Sequence, residues 1–134
     1  MPDVDTPSEE WASDLIEQAH ARAVRSSTAE AAAFLQALVG QRLTAMATGI
    51  DDPKAVGKWA RGEREPRGEA VRRLREAFQV AVLLSLGESE QTARAWLMGM
   101  NPHLDDRAPM AIFASSPDGG ERVMRAARAF LAHG

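Results

Sequence analysis

The chain has 134 residues and a formal net charge of −3, and its 45% of hydrophobic residues suffice for one globular domain or two small helical modules sharing a core. It contains no cysteine, which excludes disulfides and thiolate metal sites, and no apolar run approaches the roughly 18 residues that a membrane span requires. Because the first residues are acidic, unlike a secretory signal, we expect a cytoplasmic protein.

The charges are distributed unevenly along the chain. The segment 54–75 contains eight lysine or arginine residues and three glutamates, a local charge of +5, whereas the rest of the chain carries −8. Since local potential decides where a polyanion binds, the basic segment is a candidate nucleic-acid surface. Surface helices of many proteins are also rich in arginine, so charge alone does not identify the function.

The first predicted element is an N-terminal helix. Thr6–Glu9 fits a capping box with proline at the first helical position. One stripe of the following helix carries apolar side chains, namely Trp11, Leu15, Ala19 and Ala23. This extension, residues 1–27, is interpreted either as a dimer arm or as core packing.

A second helix is predicted from a second capping box, Ser27 with Glu30, to Val39, and Gly40 ends it. Its core side is expected to be Ala31, Phe34, Leu35 and Leu38.

Residues 43–62 predict a short helix, a turn and a second helix, Pro53–Arg61, whose two faces differ in chemistry. At 100° per residue, Val56, Trp59 and Ala60 share one side of the second helix. Lys54, Lys58 and Arg61 lie within about 60° of one another on the opposite side. This pattern is typical of the DNA-reading helix of a helix-turn-helix; the simpler alternative is a helical hairpin with a solvated cationic side.

The turn residues fit this interpretation. Gly49 suits a left-handed turn, and Ile50 is expected to fill the space beneath it. Asp52-Pro53 caps the second helix, and its N-terminal N–H groups are expected to point toward a phosphate. Gly57 is expected to keep the outer face low for close approach to DNA.

After a turn at Gly62–Gly68, helical periodicity continues to the end of the chain, and no stretch alternates as a strand would. We therefore expect an all-α protein of seven or eight helices. The remaining predicted segments are helices at Glu69–Leu86 and Glu88–Met98, a loop at Gly99–Asp106, one helical turn at Pro109–Phe113, and a terminal helix capped by Ser116 and starting at Pro117.

The sequence offers little for catalysis. The three histidines lie in separate regions without metal-ligand spacing, and adjacent carboxylates such as Asp51-Asp52 point in different directions. Gly119-Gly120 lacks the strand, lysine and hydroxyl of a phosphate loop. We expect no enzyme activity, cofactor or metal.

Two stretches carry a resemblance to a known family. Leu43-Thr44 through Trp59-Ala60-Arg61-Gly62-Glu63-Arg64-Glu65-Pro66 resembles the Xre-type helix-turn-helix. The ordered string Ala95-Trp96-Leu97, Asn101-Pro102-His103-Leu104 and Arg107-Ala108-Pro109-Met110, with the closing helix, resembles the Xre/MbcA/ParS toxin-binding domain. Together these cover about residues 28–134. The turn before Pro53 is one residue longer than the usual Xre turn.

The resemblance implies a DNA-binding antitoxin that neutralises a RES-domain toxin, which degrades NAD, and represses the shared operon. It divides the chain into the extension (1–27), a helix-turn-helix (28–68) and a toxin-binding region (69–134). The residues that would shape the toxin-binding region are Trp96, Asn101, Leu104 and Pro109. The candidate toxin contacts are Arg125, Arg128, His133 and Gly134.

The leading hypothesis is therefore a homodimeric, DNA-binding, antitoxin-like repressor. Lys54, Lys58 and Arg61 would meet operator DNA, while Arg64 and Arg67 would contact phosphates, and two copies would address half-sites about one helical turn apart. Two alternatives remain: a DNA-binding regulator of phage or plasmid type without a toxin, and a toxin-neutralising protein that no longer binds DNA.

Overall fold

The computed structural model describes residues 9–133, and over this range the chain is all-helical, as the periodicity predicts. Among these residues the one β-type interaction is an isolated bridge between Asn101 and Arg107. A short 3₁₀ helix, Pro102–Leu104, lies within the predicted loop. The α-helices are α1 (Glu9–Arg25), α2 (Thr28–Val39), α3 (Gln41–Thr48), α4 (Pro53–Ala60), α5 (Glu69–Gly87), α6 (Glu90–Met98), α7 (Pro109–Ile112) and α8 (Gly119–His133).

Helix α1 packs along α5 and belongs to the core. Leu15, Ala19 and Ala23 are buried as predicted, whereas Trp11 is 39% exposed. The guanidinium carbon of Arg22, on α1, lies 5.1 Å from the ring centroid of Phe34 and 5.7 Å from that of Phe78. Of the two interpretations of this helix, core packing therefore holds within one chain. The predicted capping box at Thr6–Glu9 depends on residues outside the described range.

The capping box of α2 is confirmed. The Oγ of Ser27 accepts from the N–H of Glu30 at 3.0 Å, and the carboxylate of Glu30 accepts from the N–H of Ser27 at 2.8 Å. The hydrogen bond from the N–H of Ser27 to the carboxylate, with a further one from the Ser27 side chain, lowers the pKa of Glu30. Gly40, with φ +93°, ends α2 at the predicted position and begins α3.

Helix α5 is the centre of the fold, because it contacts α1, α2, α3, α6 and α8. It is buried on nearly every side in its second half, from Ala77 to Leu84. The predicted domain boundaries fall where α2 and α5 begin, and a single hydrophobic core runs across both of them.

The C-terminal helices differ slightly from expectation. Helix α6 begins at Glu90 rather than Glu88, because the Oγ of Ser89 caps it by accepting from the N–H of Thr92 at 3.0 Å. Helix α8 begins at Gly119, so the predicted start at Pro117 was wrong. The hydroxyl of the predicted cap, Ser116, instead donates to the carboxylate of Asp118 at 2.7 Å. The backbone carbonyl of Ser116 accepts from the N–H of Gly119 in a turn.

The adjacent glycines of α8 allow close helix packing. A Cβ atom on Gly119 would collide with the carbonyl oxygen of Ile112 and lie 2.7 Å from that of Phe113. A Cβ atom on Gly120 would collide with the carboxylate of Glu76. These glycines therefore let α8 approach α7 and α5. None of the helices in residues 9–133 combines the length and apolar character needed to cross a bilayer.

Candidate nucleic-acid interface

Helix α4 has the two chemically distinct faces that the sequence predicts. Val56 and Trp59 are 0% and 3% exposed and belong to the core, with half-buried Ala60 packed beside them. Lys54, Lys58 and Arg61 are exposed, and Arg61 forms the C-terminal cap of the helix. The helix is thus held by its apolar side and presents its cations to solvent.

The turn before α4 is built as predicted. Gly49 adopts φ +78° in the left-handed region, and the N–H of Ile50 donates to the carbonyl of Ala45 at 2.9 Å to close the end of α3. The Nη1 of Arg73, on α5, lies against Gly49, at 2.7 Å from where a Cβ would stand. Ile50 is half-buried and packs on the core. The core therefore fixes the angle between α3 and α4.

The N-terminus of α4 differs from the expectation that its N–H groups face a phosphate. Pro53 has no N–H, the N–H of Lys54 donates to the side chain of Asp52 at 3.0 Å, and that of Ala55 donates to the carbonyl of Asp52 at 3.1 Å. The carboxylate of the cap thus occupies the position that an anion would take.

Gly57 is buried rather than part of a low outer face, so that expectation was wrong. A Cβ on Gly57 would lie 2.6 Å from Nε2 of Gln41, on α3, and 3.2 Å from Nη1 of Arg61. The Gln41 side chain, from α3, lies across α4 at this point and covers the glycine. Gln41 accordingly brings an exposed amide to the edge of the cationic face, which the sequence analysis missed because the contact joins two helices.

Arg61 is engaged within the chain. Its Nε and Nη2 donate to the two carboxylate oxygens of Glu63 at 3.0 and 3.1 Å, although both side chains remain more than half exposed. This hydrogen-bonded pair raises the pKa of Arg61 and lowers that of Glu63, to which Lys58 adds a smaller attraction.

Arg64 and Arg67 are exposed on the segment between α4 and α5. The buried ring of Pro66 and a 2.8 Å hydrogen bond from Thr28 Oγ1 to the carboxylate of Glu65 hold this segment against α2. The two arginines therefore stand on an anchored loop close to the end of α4.

Four of the eight cations in the basic segment are engaged within the chain, Arg61 among them, which reduces the basic surface. Arg72 pairs with Glu69 and, at 3.1 Å, with Glu76. Arg75 donates to the backbone carbonyls of Ala23 and Ser26 at 2.9 and 3.2 Å. Arg73 lies beneath the turn at Gly49, with a buried Nε that has no hydrogen-bond partner among the described residues. The periodicity of α5 directs Arg73 and Arg75 to neighbouring elements, whereas Arg72 pairs with carboxylates of α5 itself. Within residues 54–75, the solvent-facing cations without an ion pair to another described residue are Lys54, Lys58, Arg64 and Arg67.

The residues assigned to toxin binding divide into buried and exposed groups. Asn101 is 7% exposed, and its side chain accepts from the N–H of His103 at 2.9 Å while its N–H donates to the carbonyl of Arg107 at 3.1 Å. Leu104 and Pro109 are buried as well. These three side chains fix the loop and the start of α7 and do not offer a contact surface.

Three of the remaining assigned residues, Trp96, Arg125 and His133, border adjoining grooves on one side of the C-terminal region. A shallow trough runs between α8 and the segment 96–103, with the rings of Trp96 and Phe130 6.1 Å apart and Met100 82% exposed. His133 lies at the same trough, and Arg125 borders the adjoining groove with His103. Arg128 is exposed on α8 in a groove facing α5, whereas Gly134 lies outside the described residues.

In residues 9–133 no group of three or more histidine and carboxylate side chains is placed to hold a metal ion. Comparisons with protein-family models, with curated proteins and with solved structures found no match to this chain.

Proposed function

We propose that this chain is a DNA-binding, antitoxin-like transcriptional repressor that acts in the cytoplasm as a homodimer and has no catalytic activity. The observation that carries the proposal is the division of α4 into a core face with Val56 and Trp59 and a solvent face with Lys54 and Lys58. A helix anchored in this way presents its cations to a phosphate backbone without losing core contacts.

The DNA-binding part rests on the cations around α4. Lys54, Lys58 and Arg61 would meet the duplex, and Arg64 and Arg67 would contact phosphates from the anchored loop. Two copies would bind half-sites about one helical turn apart, as dimeric helix-turn-helix proteins do.

The antitoxin part rests on the resemblance of residues 95–134 to the toxin-binding domain, from which a RES-domain, NAD-degrading toxin follows as partner. The trough beside Trp96, together with Arg125 and His133, supports this assignment, because it combines exposed apolar and cationic groups on one side of the molecule. Asn101, Leu104 and Pro109 would shape that region from within.

A second candidate is a toxin-neutralising protein that no longer binds DNA. Two carboxylates favour this candidate. Asp52 accepts from the N-terminus of α4 and Glu63 pairs with Arg61, so both reduce the free positive charge of the cationic face.

The deciding experiment is an electrophoretic mobility shift with DNA from upstream of the gene that encodes this chain. The variant K54E/K58E should lose the shift, because it replaces two cations of the face by anions. Its matched control is R25E/R94E, which changes the net charge equally at exposed arginines on α1 and α6. Equal shifts for K54E/K58E and the wild type would reject the DNA-binding assignment.

The toxin assignment is tested separately by co-expression with the neighbouring reading frame. We expect that the wild-type chain restores the growth of cells in which the neighbouring product is toxic, and that the two proteins co-purify. Rescue by the wild type together with an absence of any DNA shift would favour the second candidate.

A further inference from the structure

We propose that Glu63 competes with DNA for Arg61, so that it sets how weakly the protein binds duplexes lacking its operator sequence. This inference rests on the proposed DNA-binding function and names a residue that tunes it. Glu63 itself does not contact DNA in this scheme; it acts by holding a side chain that does.

The geometry of the pair is that of a phosphate mimic. Arg61 uses Nε and Nη2 to donate to both oxygens of Glu63, at 3.0 and 3.1 Å. The same two-pronged edge of a guanidinium binds a phosphate or the O6 and N7 atoms of guanine. Because one edge cannot serve two acceptors at once, Arg61 has to leave Glu63 before it uses this edge on DNA.

The local backbone keeps the two side chains close. Arg61 caps α4, and the N–H of Glu63 donates to the carbonyl of Lys58 at 2.9 Å, which returns the chain to the end of the helix. Gly62 between them has φ +73°, with open space where a Cβ would stand. The backbone thereby brings the carboxylate of Glu63 within reach of the guanidinium of Arg61, with Lys58 near enough to add attraction.

The Arg61–Glu63 pair is weak enough for DNA to displace it. Both side chains are more than half exposed, at 58% and 56%, and exposed ion pairs are weak and screened by salt. A partner with better geometry, such as a guanine edge placed by the operator, displaces Glu63 readily. A phosphate of a duplex that lacks the operator also has to displace Glu63, so the competition lowers the affinity for such a duplex.

The test compares Glu63→Gln with the wild type by fluorescence anisotropy on a labelled mixed-sequence duplex of about two helical turns, at several salt concentrations. Glutamine keeps the size of the side chain and removes its charge. We expect E63Q to bind about 2- to 10-fold more tightly at low salt, with a steeper slope of log K against log salt by about 0.9 if Arg61 gains one phosphate.

Two controls separate competition from a general charge effect. Glu17→Gln removes the same charge from an exposed position on α1, and no gain of this size is expected there. In an Arg61→Gln background, E63Q should give only the small gain of the distant control. An equal gain with and without Arg61 would mean that Glu63 merely repels DNA, and it would overturn the inference.

The possible failures are distinguishable. If the wild type binds the duplex and E63Q leaves affinity and salt slope unchanged, the inference is wrong while the proposed function stands. If neither protein binds duplex DNA at low salt, the DNA-binding function and this inference fail together.

Discussion

The guanidinium of Arg75, on α5, reaches the C-terminal end of α1 and donates a hydrogen bond of 2.9 Å to the carbonyl oxygen of Ala23. The same Nη1 atom donates to the carbonyl of Ser26 at 3.2 Å, just beyond the helix. Terminal carbonyls of a helix have no partner within it, so a cation from another helix satisfies them and ties the two helices together.

Replacing Arg75 with methionine should therefore destabilise the protein. We expect the free energy of unfolding to fall by about 1.5–3 kcal/mol, because the half-buried carbonyls lose a charged donor. Urea denaturation measures the difference. Arg94→Met, at an exposed position on α6, is the matched control and should change stability by no more than about 0.5 kcal/mol.

The two glycines at the start of α8 should respond differently to alanine. Gly119→Ala places a methyl group against the backbone carbonyls of Ile112 and Phe113, and we expect a loss of about 1–3 kcal/mol. Gly120→Ala meets the carboxylate of Glu76, which can move, so its loss should stay below about 1 kcal/mol. Thermal unfolding of both variants checks the order; equal losses would contradict it.

Gly49→Ala should weaken the turn between α3 and α4. A non-glycine residue at φ +78° costs roughly 1–2 kcal/mol, and the added methyl also displaces Nη1 of Arg73. Gly62→Ala provides the comparison, because its φ of +73° brings similar strain in open space. Urea denaturation should show the larger loss for Gly49→Ala, and the reverse order would argue against a role of Arg73.

Two glutamates should give opposite pH dependences. Burial raises the pKa of Glu76 against the lowering effect of Arg72, with Glu121 raising it further and Arg73 lowering it slightly. A raised pKa means that the folded state binds the proton more tightly, so the charge of Glu76 costs stability above its folded pKa and the cost vanishes as pH falls. The free energy of unfolding of Glu76→Gln minus that of the wild type should therefore be more positive at pH 7 than at pH 4.

For Glu30 the sign is reversed, because the hydrogen bonds from Ser27 lower its pKa. The stabilisation by its charge is present above the unfolded pKa and is lost as pH falls through the folded pKa. Glu30→Gln should thus be less stable than wild type at pH 7, with the difference shrinking at acid pH. Urea denaturation at several pH values measures both variants, and parallel profiles would refute the assignment.

The salt dependence of DNA binding should report the cations of α4 one by one. Each lysine that neutralises a phosphate contributes about 0.9 to the slope of log K against log salt. Lys58→Gln should reduce the slope by that amount, whereas Arg25→Gln, an exposed residue at the end of α1, should leave it unchanged. Anisotropy titrations on one duplex at four salt concentrations suffice.

The local elements were predictable because their causes lie within a few residues. The capping box of Ser27 and Glu30, the left-handed Gly49 and the two faces of α4 follow from spacing and backbone preference alone. The start of α8 was misplaced because Ser116-Pro117 has the form of a cap, while its side-chain hydrogen bond goes to Asp118.

Spacing along the chain is enough to predict that the described chain is all-helical and that Lys54, Lys58 and Arg61 share a face opposite Val56 and Trp59. Which cations remain free depends on how the helices pack. Arg73 turns to the α3–α4 turn, Arg75 turns to the end of α1, and Gln41 covers Gly57 from α3. The physical reason is that periodicity fixes the direction of a side chain around its own helix, whereas its partner depends on which helix or loop packs there.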